Sequence, residues 1–474
     1  SATPAHGGMG LPLALNTAMH DMMCGACISL NLCPLLSQGQ IEALEHHASE
    51  ELQNLYLPKL ISGEWTGTMN LTEPQAGSDV GALTSKAELQ VDGTYKISGQ
   101  KIFITWGEHD VAENICHLVL ARLPNGKPGP KGISLFLVPK FIPNADGSLG
   151  ARNDLRCVSL ENKLGIHGSP TAVMEFSKAT GWLVGQEHNG MACMFTMMNN
   201  ARLAVGMQGV GVAEGAYQHA LAYAMDRKQG RAMIAEGTGS IIDHADVRRM
   251  LAQMKSEIFA ARSIGVACAV AIDMARATGD VDWLARAAFL TPIAKSFGSD
   301  TGVAVADLGV QIHGGMGFVE ETAAAQYLRD VRITPIYEGT NGIQAMDLVA
   351  RKMMDGGVAA FRIMDDIADL ASTSNSELAD AVLASVTELR ATTEWLLNHD
   401  LNDRFAGAVA YQKAFARVLG GYFHLISAMT GDGKRIRIAN FYINSLLPEY
   451  TALCLQARVG SENLYALELD DFAA

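Results

Sequence analysis

Asp92-Gly93-Thr94-Tyr95-Lys96-Ile97-Ser98-Gly99-Gln100-Lys101-Ile102-Phe103-Ile104-Thr105 is the stretch on which the fold turns. A turn at Asp92-Gly93 leads into two short apolar runs of strand character, Tyr95 to Ser98 and Lys101 to Thr105. Ile115 to Leu123, Gly132 to Pro139 and Ala172 to Phe176 are further short runs bounded by Gly and Pro. Short strands with frequent turns between about 66 and 180 predict an all-β module, a sandwich or barrel.

On both sides of this module the period is helical. Leu11 to Leu36 is apolar with small residues, and Gln40 to Leu60 is amphipathic and ends near Pro58. From Met191 to Lys352, long Ala/Met/Leu runs carry charges on one face, as in Ile241 to Thr278 and Trp283 to Gly309. Gly356-Gly357 marks a joint, and Phe361, Ala379–Asn398, Ala406–Met429 and Ala439–Val459 suggest a further helical unit. The predicted fold is α+β and multidomain: a helical domain at 1–65, a β domain at 66–180, a helical bundle at 181–355 and an additional helical domain at 356–474. The opening Ser1-Ala2-Thr3-Pro4 has no initiator methionine, which suggests that the first domain lacks upstream residues.

The 474 residues are 49% hydrophobic and 18% charged, enough to bury large cores. A net charge of −14 argues against nucleic acid or an anionic membrane as partner, since both need clustered cations. The eight cysteines are scattered and fit a reducing cytoplasm better than a disulfide framework. Cys24-Gly-Ala-Cys27 has no second ligand pair for zinc, and the histidines show no H-E-x-x-H spacing, so no metal is expected. No run of 18 uninterrupted apolar residues predicts a membrane span, and residues 9–36 lack the basic start of a signal peptide.

Several segments could carry chemistry. Met69-Asn70-Leu71-Thr72-Glu73-Pro74-Gln75-Ala76-Gly77-Ser78-Asp79, where helices give way to strands, could present bare N–H groups and a hydroxyl to a phosphate or ring edge, or be an ordinary turn. Gly209-Val-Gly211 with Gly215 mimics a dinucleotide fingerprint, but its spacing is one residue too long and no strand precedes it, so helix packing through small residues is the better reading. His313-Gly314-Gly315 resembles a hydrolase oxyanion loop, yet the chain has no G-x-S-x-G elbow. Arg227-Lys228-Gln229-Gly230-Arg231 reads equally as a solvated helix end or a diphosphate clamp, and Arg202 poses the same choice. Tyr337-Glu338-Gly339-Thr340-Asn341-Gly342-Ile343-Gln344 offers one carboxylate between an aromatic ring and a glycine.

Together these segments resemble the acyl-CoA dehydrogenase family. The resemblance rests on Thr72 to Asp79, Lys101 to Thr105, Arg227-Lys228, Gln311 to Phe318, and Arg329-Asp330 followed by Tyr337 to Thr340, in family order. Ile104 to Asp110, Lys163 to Thr171 and the extra C-terminal helices look most like its 3-methylmercaptopropionyl-CoA dehydrogenase branch. The resemblance implies an N-terminal helical domain, a central β-barrel-like domain and a C-terminal four-helix bundle plus the extra helical unit, with FAD between the β domain and the bundle. Met69, Leu71, Thr72, Gly77 and Ser78 would wrap the flavin and its ribityl chain, and Phe103 and Thr105 would cover its other side. Arg227, Gln311 and Gly315 would hold the FAD of a neighbouring subunit, implying a homodimer or dimer of dimers. Thr340 and Gly342 would contact the cofactor, although many relatives carry Gln where Gly342 stands. Ser78, Asn199, Arg202, Tyr337 and Gly339 would contact the acyl-CoA; Asn199 replaces a common Asp.

Glu338 would then be the catalytic base. A thioester α-proton is only weakly acidic, so the base must lie within hydrogen-bond reach of it in a pocket that raises the carboxyl's pKa. The expected reaction is α,β-dehydrogenation to a trans-2-enoyl-CoA, with an electron-transferring flavoprotein as acceptor. The expected substrate is 3-methylmercaptopropionyl-CoA or another short acyl-CoA. Alternatives are a medium- or long-chain fatty acyl-CoA dehydrogenase, an oxidase that reacts with oxygen, a DNA-associated flavoprotein relative, which would need a basic face, and a structural helical protein without flavin.

Overall fold

The computed structural model describes residues 2–234 and 236–473, with the side chain of Asn199 excepted. The chain divides into two compact units, one of residues 1–12 and 27–201 and the other of residues 13–26 and 202–474. The first helix, α1 (Leu13–His47), is broken at Cys27, whose φ of −163° and ψ of 95° are not helical. The unit boundary falls at that break.

In the first unit, α2 (Glu50–Ser62) starts where the Ser49 hydroxyl accepts from the Leu52 N–H, with Glu50 and Glu51 at the positive end of the helix dipole. It runs through Pro58 and stops at Gly63, whose φ of 82° only glycine adopts without strain. Nine strands follow among the described residues: β1 (Trp65–Asn70), β2 (Lys86–Leu89), β3 (Tyr95–Thr105), β4 (Asn114–Arg122), β5 (Ile133–Pro139), β6 (Phe141–Pro143), β7 (Leu149–Arg152), β8 (Leu155–Leu160) and β9 (Thr171–Val184).

Strands β4, β2, β3, β9 and β5 pair in that order, and β5 pairs back onto β4, closing the sheet into a barrel. β1 extends it in parallel beside β4, and β8 pairs with β9. The pleat sorts the apolar residues of β4 and β5. Val119, Ala121, Phe136 and Val138 enter one core, while Leu118, Leu120, Leu135 and Leu137 pack with Leu44, Tyr56 and Leu57 of the helices in another. Both faces are covered, which is why these strands read as unbroken apolar runs.

The two runs expected at 95–98 and 101–105 are one strand, β3, whose register shifts at Ile97/Ser98 and at Lys101/Ile104. Gly99 and Gln100 pair in regular register between these two irregularities, so the ladder is continuous. β1 and β8, with sequences Trp-Thr-Gly-Thr-Met-Asn and Leu-Arg-Cys-Val-Ser-Leu, escape notice because their polar residues dilute the strand pattern.

The second unit is helical. α3 (Gly190–Asp226) enters it at Arg202, followed by α4 (Ala245–Thr278), α5 (Val281–His313), α6 (Ala324–Val331), α7 (Asn341–Ala350), α8 (Val358–Ser372), α9 (Glu377–Leu397), α10 (Leu401–Met429), α11 (Gly433–Phe441) and α12 (Glu449–Ala457). The expected helix over Ala439–Val459 is instead α11, a π-turn at Tyr442–Leu446 and α12. α3 and α5 cross backbone to backbone. A Cβ on Gly209 would lie 2.2 Å from the Gly298 carbonyl oxygen, and one on Gly206 would lie 2.4 Å from that of Ala294.

The sequence joint at Gly356-Gly357 is a turn, but packing does not stop there. Ile264, Phe289 and Ile293 of α4 and α5 share one core with Met364, Leu389, Phe415 and Leu419 of α8 to α10. α1 and α4 match a membrane span by length and hydropathy, and 50% and 44% of their apolar windows are buried within the protein. All eight cysteines are free thiols.

Candidate active site

The loop between α6 and α7 carries Glu338. Tyr337 is held by its hydroxyl, which donates to Oε1 of the buried Gln208 on α3. Glu338 and Gly339 both sit at positive φ, 56° and 80°. That conformation is unusual for a glutamate and signals a constrained loop. The Glu338 carbonyl accepts from Gln344 Nε2 at 3.1 Å. A side chain on Gly339 would come within 2.8 Å of the same nitrogen. The loop ends where the Thr340 hydroxyl accepts from the Ile343 N–H at 3.2 Å and caps α7.

Burial raises the Glu338 carboxyl to about 7, against the opposing pull of the Arg202 guanidinium and the Lys295 ammonium. Arg202 on α3 has Nη1 3.8 Å from Asp347 Oδ2 on α7. The Glu338 N–H donates to no acceptor among the described residues. The loop thus combines a base poised near neutrality, two cations and a free donor. This set can take a proton from carbon and support a developing oxyanion.

A second group of expected residues lies in the first unit. Met69 is the last residue but one of β1, and Leu71 and Thr72 follow the strand, all three half-buried. Glu73, almost fully buried, organises the turn: its carboxylate accepts from Lys101 Nζ at 2.8 Å, from the Thr84 and Ser85 N–H groups at 2.7 and 3.0 Å, and from both their hydroxyls at 2.9 and 2.6 Å. Lys101 also donates to the Leu71 carbonyl at 3.0 Å, and the Ile102 N–H donates to the Thr72 carbonyl at 2.9 Å.

Beyond the turn, Gly77 and Ser78 are exposed, and their N–H groups find no acceptor among the described residues. Phe103 sits in the β3 bulge at φ 59° with 60% of its surface exposed, and Thr105 is half-buried at the strand end. Free backbone donors, three hydroxyls and an exposed ring suit a flat aromatic cofactor with a polar chain, so this donor set fits a flavin.

The remaining expected residues are more dispersed. Arg227, Gln311 and Gly315 are exposed in the second unit, and Gly342 lies in the first turn of α7. The side chain of Asn199 lies outside the described residues. Gln208, Lys295 and Gln344 did not stand out in the sequence. Lys295 alone left a signal, as a single cation inside the apolar run Thr291-Pro-Ile-Ala-Lys-Ser-Phe-Gly.

Three family models match consecutive stretches: the acyl-CoA dehydrogenase middle domain over 68–179, the acyl-CoA dehydrogenase C-terminal domain over 188–354, and an acetyl-CoA dehydrogenase C-terminal-like domain over 360–468. The 3-methylmercaptopropionyl-CoA dehydrogenase of Ruegeria pomeroyi is 44% identical over 98% of this chain and 80% of its own length. A butyryl-CoA dehydrogenase of Syntrophomonas wolfei is 37% identical over 92% of this chain and 76% of its own. Among solved structures, an acyl-CoA dehydrogenase from Bacillus anthracis complexed with FAD has the same fold, with a TM-score of 0.80 at 22% identity, covering 99% of this chain and 81% of that one. The butyryl-CoA dehydrogenase of Megasphaera elsdenii gives 0.60 at 27% identity, covering 73% of this chain and 84% of that one. With these likenesses beside a closed barrel, a helical bundle and a poised carboxylate, the chain belongs to the acyl-CoA dehydrogenase family of FAD-dependent oxidoreductases acting on CH–CH bonds.

Proposed function

We propose that this chain dehydrogenates 3-methylmercaptopropionyl-CoA or another short acyl-CoA to the trans-2-enoyl thioester, with Glu338 as the base. The observation that carries the reading is the Glu338 carboxyl, raised to about 7 by burial on a loop whose backbone is constrained. A glutamate left at its ordinary value near 4.5 would be a much weaker base toward a carbon acid.

In this reading the Glu338 carboxylate takes the α-proton, and its N–H donates to the thioester oxygen as charge develops there. Gly339, with no side chain, lets the thioester approach the backbone. Arg202 lies beside Glu338 as one of the residues that would contact the acyl-CoA, and Tyr337 keeps the loop in register through Gln208. In the first unit, Met69, Leu71, Thr72, Gly77, Ser78, Phe103 and Thr105 would hold FAD; in the second, Thr340 and Gly342 at the start of α7 are the residues that the family resemblance gives as cofactor contacts. FAD, when bound, would supply the acceptor for the β-hydride, with an electron-transferring flavoprotein as the onward acceptor. Arg227, Gln311 and Gly315 reach the cofactor of a second copy, and a homodimer or dimer of dimers is the assembly.

The 44% identity to the Ruegeria enzyme supports the sulfur-containing substrate, and the butyryl-CoA relatives support the short chain length. A thioether and a methylene differ little in size, so an apolar pocket separates the two weakly. The test is anaerobic flavin bleaching with acyl-CoA thioesters of varied length and sulfur content. Fastest reduction by 3-methylmercaptopropionyl-CoA or butyryl-CoA is expected. Fastest reduction by a chain of twelve or more carbons would overturn the substrate assignment.

A further inference from the structure

Lys295 on α5 is completely buried, and its ammonium donates to a neutral side-chain amide and not to a carboxylate. An ammonium in that position is costly unless its charge is used. Its Nζ donates to Oδ1 of Asn341 at 2.8 Å. Asn341 opens α7, three residues after Glu338, and is held on its other side as well. Its Nδ2 donates to Asp300 Oδ1 at 2.7 Å, to Ser299 Oγ at 3.0 Å and to the Ser296 carbonyl at 3.4 Å. Ser299 Oγ also donates to Asn341 Oδ1 at 3.2 Å. One turn and a half of α5 therefore grips the C-terminal end of the loop, while Gln208 on α3 grips the other end through Tyr337.

We propose that Lys295 is a positioning residue for the base: through Asn341 it fixes the loop that presents Glu338, and its charge favours the carboxylate that the reaction uses. The inference rests on Glu338 being the base. The charged groups around the pair come from several elements. Glu338 faces Arg202 from α3 and Lys295 from α5. Lys295 faces Glu338, Asp300 and Arg202. Asp300 is itself balanced by Lys413 of α10, Lys295 and Arg332. Arg202 is drawn toward Asp347, which also lies 3.5 Å from Arg351 and 4.0 Å from Lys352. Arg202 is thus shared with another carboxylate, whereas Lys295 is bonded to the loop itself through Asn341.

The test uses the FAD-loaded protein and the pH dependence of anaerobic flavin reduction by butyryl-CoA and by 3-methylmercaptopropionyl-CoA. Lys295→Met moves the acidic limb of the rate profile up by about one pH unit or more, because one of two cations facing the carboxylate is gone. Lys295→Arg, which keeps the charge, restores the limb toward the parental position. Lys295→Gln retains a donor for Asn341, gives the same upward move as Lys295→Met, and is the variant read if Lys295→Met does not hold FAD. A merely structural lysine would lower the rate and leave the limb in place, and an unmoved limb in FAD-loaded Lys295→Met or Lys295→Gln overturns the proposal. Glu338→Gln in the same series separates the two failures: if it reduces flavin at the parental rate, the base assignment is wrong, whereas an inactive Glu338→Gln beside an unmoved limb removes only the role of Lys295.

Discussion

Lys101→Met should unfold the first unit more readily than Lys101→Met combined with Glu73→Gln. The wild-type pair is buried on both sides, with side-chain exposures of 0% and 2%. Burial weighs most on Glu73, but Lys101 and the Ser85 and Thr84 donors outweigh it and hold the carboxyl down to about 2. Burial also weighs most on Lys101 and lowers its ammonium to about 8, only partly offset by Glu73.

Each displacement from the ordinary value corresponds to roughly 3 kcal/mol, with opposite signs. The Glu73 contribution is present above pH 4.5 and is lost as pH falls toward 2. The Lys101 cost is present below pH 8 and is relieved as pH rises toward 10.5. At neutral pH the two act in opposite directions, and the ion pair fixes the turn that follows β1. Removing the lysine alone leaves a buried carboxylate without its cation, at a cost of about 3–5 kcal/mol. The double variant should recover most of that loss. Urea unfolding followed by tryptophan fluorescence, with FAD retention measured in parallel, is the assay. A single Lys101→Met variant within about 1 kcal/mol of the parent would refute the reasoning.

Other outcomes follow from particular distances and charges. Flavin reduction by a short acyl-CoA should fall as pH drops through about 7, because Glu338 must be ionised to accept a proton, and a rate flat from pH 6 to 8 would contradict the elevated carboxyl. Gly209→Ala places a methyl 2.2 Å from the Gly298 carbonyl oxygen and should lower stability by about 1–3 kcal/mol or more, measured by thermal unfolding. Gly309→Ala on α5 is the control, since its methyl meets nothing nearer than 3.7 Å and alanine suits a helix better; it should be neutral or stabilising by up to about 1 kcal/mol. Tyr337→Phe strands the buried Gln208 amide and should cost about 1–3 kcal/mol by the same measurement.

The helix, strand, helix order is legible in the sequence because the apolar period changes where the structure changes. Individual strands are less so: β1 holds Thr66, Gly67, Thr68 and Asn70, and only its pairing with β4 makes it a strand. Barrel closure depends on β5 meeting both β4 and β9, contacts between runs far apart in the chain. Gly209-Val-Gly211 could be read as a helix-packing site, and α3 does lie against Gly298 of α5 there. Its partner could not be read, since nothing local in residues 209–211 names residue 298. Glu338 stands out because a carboxylate beside Gly339 in an otherwise apolar stretch is conspicuous. The groups that set its environment do not. Gln208 and Lys295 lie 130 and 43 positions away in the chain and reach the loop only because α3 and α5 cross beside it.

The most direct measurement is anaerobic flavin reduction in Glu338→Gln protein purified with a full complement of FAD. The amide is nearly isosteric with the carboxyl but cannot take up a proton, so reduction by butyryl-CoA and 3-methylmercaptopropionyl-CoA should slow by at least about a hundredfold while the flavin spectrum and cofactor content stay parental. Reduction at the parental rate would mean that some other group removes the α-proton.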